Sequence, residues 1–106
     1  MTESEFLDIT DTIFRRIEEA IDDAGVDADY LRNGNVLEIE FDDGDKIVVN
    51  RHTANLELWI AAKSGGYHFG WRDGQWVASR DGKEFFSTLA DAVRAAADDA
   101  DLELDF

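Results

Sequence analysis

The stretch VLEIEFDDGDKIVVNR, residues 36–51, predicts two β-strands joined by a tight turn. Apolar and acidic side chains alternate along VLEIEF, which is the period-two pattern of a half-buried strand. Asp43-Gly44 supplies the turn, and KIVVNR (46–51) is rich in the β-branched residues that strands favour. Strands separated by so few residues must pair antiparallel, since a parallel crossover needs a dozen residues or more.

The same pattern continues along the chain and predicts an antiparallel meander. The predicted strands are NVLEIEF (35–41), KIVVNR (46–51), LELWIAA (56–62), GYHFGW (66–71) and QWVASR (75–80), with KEFF (83–86) as a further candidate. Gly65-Gly66, Asp73-Gly74 and Asp81-Gly82 are the expected turns. The segment GVDADYLRNGN, 25–35, is predicted to be a loop.

Two amphipathic helices flank these strands. Apolar residues recur every three or four positions over 4–24, with Ser4 as the expected N-cap and Gly25 just past the helix end. A second helix is predicted over 87–100. Each helix has one apolar stripe, so both can cover the same face of the sheet. The expected fold is α+β, a two-layer sandwich with the N- and C-terminal helices on one face of an antiparallel sheet, in one domain spanning 1–106.

Strand alternation also predicts which side chains face solvent. Glu38 and Glu40 must lie on the open face of the sheet, and Trp59 falls on that face by the same alternation. Asn50 is expected to join Trp59 there. A tryptophan with polar neighbours is typical of a protein-interface anchor. The alternative is that Trp59 packs under a loop or under the acidic tail, whose Leu102, Leu104 and Phe106 are expected to lie back over the core.

The charge of the chain excludes several classes of function. With 25 acidic against 10 basic residues and a net charge of −15, the chain is a poor ligand for nucleic acid, and cations or basic protein surfaces are its natural partners. It contains no cysteine, which excludes disulfides and thiolate chemistry. We expect no secretory signal, no membrane association and a cytoplasmic location. No nucleophile elbow, phosphate loop or ligand-spaced histidine pair is present, so we expect no catalytic site.

The stretch IEEAIDD, 17–23, sets four carboxylates within two helical turns. They are Glu18, Glu19, Asp22 and Asp23. Their i,i+4 pairs repel, and the helix dipole disfavours anions in the C-terminal half of a helix. Carboxylates about 5–6 Å apart can share a hard, oxygen-seeking cation, and Asp27 and Asp29 extend the set into the next loop. Asp11, Glu18 and Asp22 are predicted opposite the apolar stripe, and a solvated face that only confers solubility is the alternative reading.

Several of these segments together resemble the frataxin family, in its bacterial CyaY branch. The resemblance rests on SEF and IEEAIDD, on VLEIEFDDGDKIVVNR, on LWIAAKSGGYHF and on DGKEFFSTLADAV. The strand tryptophan followed by Gly-Gly-Tyr-His-Phe is the most specific part. The family fold, two helices on one face of an antiparallel sheet, agrees with the fold expected from the patterns.

The resemblance implies a regulator of iron–sulfur cluster assembly that docks on the cysteine desulfurase and scaffold protein and supplies or senses iron. Iron, as Fe²⁺ or Fe³⁺, would bind weakly, and other divalent cations would substitute for it. The positions that match the family's metal-binding acids are Glu18, Glu19, Asp22 and Asp23, with Asp27 and Asp29 in the following loop. The positions implied to contact the partner are Trp59, Asn50, Glu19 and Asp23.

The chain departs from the family pattern in two places, and two rival functions stand beside the one that the resemblance implies. The loop after the first helix keeps only Asp27 and Asp29, so the metal set is expected to be smaller than in relatives with longer acidic loops. The segment NRHTANLELW lacks a proline and has His52 where relatives often have glutamine, which weakens the inferred partner contacts there. His68 is expected to be a strand residue with a structural hydrogen bond. The rival functions are a ferroxidase that oxidises and stores iron, and an acidic binding module indifferent to iron. We expect a monomer, with iron-dependent oligomers as the alternative.

Overall fold

The computed structural model describes residues 1–106 and shows two helices on one face of a six-stranded antiparallel sheet. The helices are α1 (Glu3–Ala24) and α2 (Phe85–Ala96), and the strands are β1 (Ala28–Asn33), β2 (Val36–Phe41), β3 (Lys46–His52), β4 (Glu57–Ala62), β5 (Gly65–Arg72) and β6 (Gln75–Ala78). The strands lie side by side in chain order, and every neighbouring pair is antiparallel. The predicted two-layer α+β sandwich is confirmed.

The ends of α1 show why this helix begins and stops where it does. Thr2, not Ser4, is the N-cap: its hydroxyl accepts the Glu5 N–H while the Glu5 carboxylate accepts the Thr2 N–H. This reciprocal capping box satisfies two otherwise free donors, and the bond from the Thr2 backbone is the main cause of the lowered pKa of Glu5. Gly25 ends the helix with a φ of 69°, as predicted, because glycine enters the left-handed region without strain.

The predicted loop over 25–35 was wrong, because it contains β1. This strand pairs with β2 from Ala28 opposite Phe41 to Asn33 opposite Val36. It is a polar edge strand with no buried residue, so it lacks the alternation of apolar side chains that reveals a strand in sequence. Pairing with β2, rather than burial of its own side chains, makes it a strand.

Several further boundaries differ from the prediction. Gly65 and Gly66 belong to β5, and the turn before it falls at 63–64. The candidate strand KEFF makes only an isolated bridge between Val77 and Glu84. Glu84 then caps α2, because its carboxylate accepts the N–H groups of Phe86 and Ser87, so α2 begins at 85. It ends at 96 rather than 100, where acidic residues meet the negative end of the helix dipole.

The core lies between the helices and the inner face of the sheet. Its largest members are fully buried: Phe6, Phe14, Phe69, Phe85, Ile17, Leu37, Ile39, Ile47, Leu58, Ile60, Leu89 and Val49. As expected, Leu102, Leu104 and Phe106 pack against this cluster. The Phe106 ring stacks on Phe86 at 5.3 Å between centroids, and Arg94 Nε donates to the Leu102 carbonyl at 2.9 Å. Neither helix combines the length and hydropathy that crossing a membrane requires.

Candidate cation and partner surface

Six carboxylates at one end of the molecule form the surface that we call the acidic ridge. They are Glu18, Glu19, Asp22 and Asp23 on α1, Asp27 in the turn that follows, and Asp29 on β1. All are exposed except Glu18, which is partly buried. None takes part in an ion pair, whereas Asp11, Glu38, Glu40 and Asp91 elsewhere all do. The ridge therefore concentrates six carboxylates whose charge no ion pair balances.

The local structure makes the ridge unfavourable for the isolated protein. Four of its acids lie in the C-terminal half of α1, and the last turn of that helix contains no basic residue. Its one side-chain hydrogen bond joins the Tyr30 hydroxyl to Asp22 at 2.8 Å. That bond is the largest cause of the raised pKa of Tyr30, and the charges of Asp22 and Glu18 add to it. Tyr30 therefore links β1 to the ridge through Asp22.

Asp11 does not belong to the ridge, contrary to its predicted position opposite the apolar stripe. Its carboxylate accepts from Arg32 at 2.5 Å and from Arg51 at 2.6 Å. Both guanidinium groups also lie over the Phe14 ring, 5.0 and 5.6 Å from its centroid. Phe14 is fully buried and widens the apolar stripe on this side. Asp11 consequently sits at the border of the stripe, where arginines from the sheet reach it.

The four ridge acids on α1 lie on two flanks of the helix. Asp22 faces β1 through its bond to Tyr30, and Glu18 lies on that flank, one turn earlier. Asp23 lies on the other flank, where it lines a shallow depression together with Arg94, Glu103 and Asp105. At about 100° per residue, Glu19 falls on the flank of Asp23. The four acids therefore share one stretch of α1 but face different neighbours on its two flanks.

Asp27 and Asp29 border a second depression, of about 380 Å³, at the end of the first two strands. Glu40 and Asp42 line it as well, and the Asp42 N–H donates to the Asp27 carbonyl at 3.1 Å. No three of the histidine, aspartate and glutamate side chains converge on a single point as a coordination set would require. An ion bound at the ridge would therefore have few protein ligands and would keep much of its water shell.

Trp59 lies on the open face of the sheet, as alternation predicted, directly opposite Asn50 in the β3–β4 register. Its indole stands between two imidazoles: His52 at 4.4 Å and 1° between the planes, and His68 at 4.1 Å and 5°. The indole N–H donates to Glu57 at 3.0 Å. Trp59 is partly buried, and the acidic tail packs instead against Phe86 and Arg94 of α2. The orientation of the indole is set before any partner arrives.

Sequence reasoning did not find this three-ring stack. His68 is a strand residue, as predicted, but its ring stacks on Trp59 and makes no hydrogen bond. His52 has a buried Nδ1 without a partner. The stack takes one ring from each of three adjacent strands, so the only signal for it is the register that places His68 opposite Trp59. That register cannot be read from one strand at a time.

The structure does not bring the ridge and Trp59 together. Of the ridge acids only Asp29 shares the open face, because it pairs with Glu40, which is on that face. Trp59 lies three strands away on β4, about 14 Å across the sheet at the usual strand spacing. The acids of α1 lie on the opposite side of the sheet. A partner that contacts both regions must pass around the β1 edge.

Comparison with known proteins gives the family. A model of the frataxin-like domain matches residues 1–99. This chain belongs to the frataxin family. The iron-sulfur cluster assembly protein CyaY of Chromobacterium violaceum is 67% identical over 100 residues, which cover 94% of this chain and 95% of that protein. The CyaY protein of Neisseria meningitidis serogroup B is 54% identical over 100 residues, with 94% of each chain covered.

Solved structures of frataxins have the same fold. Frataxin from Psychromonas ingrahamii superposes with a TM-score of 0.87 at 32% identity, over 99% of this chain and 97% of that one. Trimeric frataxin from the yeast Saccharomyces cerevisiae, solved in complex with ferrous, gives a TM-score of 0.70 at 28% identity, over 89% of this chain and 86% of that one. The predicted family membership, in the CyaY-type branch, is confirmed.

Proposed function

We propose that this protein regulates iron–sulfur cluster assembly in the cytoplasm by docking on a cysteine desulfurase and its scaffold protein, and that it binds iron weakly at the acidic ridge. The observation that carries this proposal is that six ridge carboxylates have no basic partner, although the chain contains ten basic residues and pairs several of them with other acids. The names of the CyaY relatives support the pathway, and the ferrous complex of yeast frataxin supports iron as the cation.

The ridge suits two uses of the same negative charge. Carboxylate oxygens are the ligands that hard cations prefer, and a bound cation relieves the repulsion along α1. The same field attracts a basic patch on a partner and accelerates its association. Because both uses depend on the same carboxylates, bound iron would reduce the negative charge that attracts the partner. Iron loading would then adjust the partner's rate without any catalytic step in this chain.

The ridge variant Asp22→Lys/Asp23→Lys tests the docking role. We expect it to bind the desulfurase about tenfold or more weakly at low salt and to lose its effect on the rate of cluster formation. The measurement is cluster formation on the desulfurase and scaffold, with and without each variant, over a range of iron concentrations. The wild-type affinity should also fall as salt is added, because exposed charges are screened.

A matched control separates position from net charge. Glu3→Lys/Asp81→Lys makes the same change in charge at exposed positions without ion pairs, at the start of α1 and just before α2, and it should leave desulfurase binding near the wild-type value. The ridge variant should in addition be more stable than the wild type by about 0.5–1 kcal/mol, since it places cations at a helix C-terminus and four residues after glutamates. Equal binding by both variants would refute docking through the ridge.

Cation binding predicts a rise in melting temperature. Fe²⁺ under anaerobic conditions, and Ca²⁺ or Mn²⁺ in its place, should stabilise the wild type, because a ligand that binds only the folded state adds about 2.7 kcal/mol at a hundred times its Kd. The ridge variant should show little of this rise. If none of the three cations raises the melting temperature, the result favours an acidic binding module that does not depend on iron. Oxygen consumed in proportion to added iron would indicate a ferroxidase instead.

A further inference from the structure

The two edges of the sheet differ in how they are covered. At β6, the Ala78 N–H donates to the Lys83 carbonyl at 2.8 Å, and Val77 forms a bridge with Glu84. The chain that leads into α2 thus closes this edge. No segment of the chain pairs with the outer side of β1, which is the other edge of the sheet. The sheet therefore has one covered and one uncovered edge.

The hydrogen-bond pattern shows which groups of β1 point outward. The bond from the Asp42 N–H to the Asp27 carbonyl fixes the alternation, so Asp29 and Leu31 exchange bonds with β2. The N–H and C=O groups of Tyr30 and Arg32 must then point away from the sheet. Neither residue makes a backbone hydrogen bond outside the ladder. Two donors and two acceptors are available to an added strand.

The usual protections against strand pairing are absent from β1. Natural edge strands carry lysine, proline or a bulge that disfavours an added strand. This chain contains no proline, β1 contains no lysine, and its one basic residue, Arg32, is held by Asp11. Leu31 is 66% exposed on the open face of this edge. The edge is suited to pairing with another chain.

We propose that the β1 edge receives an extended, lysine- or arginine-rich segment of the docking partner as a seventh strand. The added strand would run between Asp22 and Glu18 on one side of the sheet and Asp29 on the other, so acids flank it on both faces. A second copy of this chain is disfavoured there, since its own β1 would bring the same acids against them. The inference rests on the proposed docking to the desulfurase, and it assigns backbone pairing to that contact.

Hydrogen exchange of the complex, resolved by residue, tests the pairing. In the wild-type protein bound to the desulfurase, we expect the amides of Tyr30 and Arg32 to exchange at least about tenfold more slowly than in the free protein. The amides of Asp29 and Leu31, already bonded to β2, should change much less. If the complex forms but the amides of Tyr30 and Arg32 are not selectively slowed, the proposal of an added strand is wrong, while the proposed docking stands. No complex at all overturns both.

A pair of variants isolates the backbone contribution. Tyr30→Ala removes the side chain but keeps the outward N–H, and its affinity for the desulfurase is the reference for the second variant. Tyr30→Pro removes that N–H as well, which an edge strand tolerates because the N–H faces solvent, and should bind about tenfold more weakly than Tyr30→Ala. Equal binding by the two folded variants overturns the proposal. If Tyr30→Pro does not fold, the exchange pattern decides alone.

If the amides of Tyr30 and Arg32 exchange more slowly in the free protein as its concentration rises, a second copy of this chain occupies the edge. That result would overturn the assignment to a basic partner. Sedimentation of the free wild type over the same concentration range detects it directly, and the expected result is a species whose mass does not change.

Discussion

The variant Arg51→Ala is expected to lose about 2–3 kcal/mol of the free energy of unfolding. Arg51 extends from β3 beneath α1, and its side chain is only 12% exposed. Its Nη1 donates to Asp11 at 2.6 Å, to Thr10 Oγ1 at 3.3 Å and to the Leu7 carbonyl at 3.4 Å, while Nε donates to Asn35 at 3.0 Å. Truncation would remove these bonds at once and leave Arg32 as the one cationic partner of the Asp11 carboxylate.

Urea denaturation measures this loss, which should appear as a lower midpoint with an unchanged m-value. Arg72→Ala is the control, because Arg72 is exposed and makes no ion pair, and it should stay within about 0.5 kcal/mol of the wild type. Arg51→Lys should fall between the two, since an ammonium keeps the charge and loses the guanidinium fork. An Arg51→Ala protein as stable as Arg72→Ala would show that the α1–β3 link contributes nothing.

The variant Trp59→Ala is expected to keep the fold and to weaken desulfurase binding by about 30- to 1,000-fold, which corresponds to about 2–4 kcal/mol. The indole is a strong interface anchor here because its orientation is already fixed. His52 and His68 stack on its two faces, and Glu57 holds its N–H. Binding to such a side chain loses little conformational freedom, so most of the buried area contributes to affinity.

Titration calorimetry against the desulfurase, together with a thermal melt, measures both parts of this prediction. Trp71→Ala is the matched control, since Trp71 is 45% exposed but lies on the helix side of β5, against Trp76. It should leave the affinity nearly unchanged. A Trp59→Ala protein that unfolds would place the indole among the structural residues and contradict the anchor role. Affinity losses of equal size in the two variants would mean that the open face has no special part in docking.

Much of the fold was predictable because burial on one face requires a regular spacing of apolar residues along the chain. Alternation in VLEIEF placed Leu37, Ile39 and Phe41 in the core, and the structure buries all three. The apolar stripe and Gly25 likewise located α1 and its end. A segment that buries no side chain, such as β1, has no such periodicity, and there the prediction failed. An apolar stripe spaced at three and four residues from Phe6 passes beside Phe14, which the structure also buries, so Asp11 lies at the border of the stripe rather than opposite it.

The two-layer architecture, the face on which Trp59 lies and the accumulation of acid at the end of α1 follow from local patterns, because each depends on residues close together in the chain. The acids that stay unpaired, the support of Trp59 and the open sheet edge became known from the folded chain alone. Those features depend on arginines and imidazoles supplied by other strands, and so on pairing registers that link distant parts of the chain.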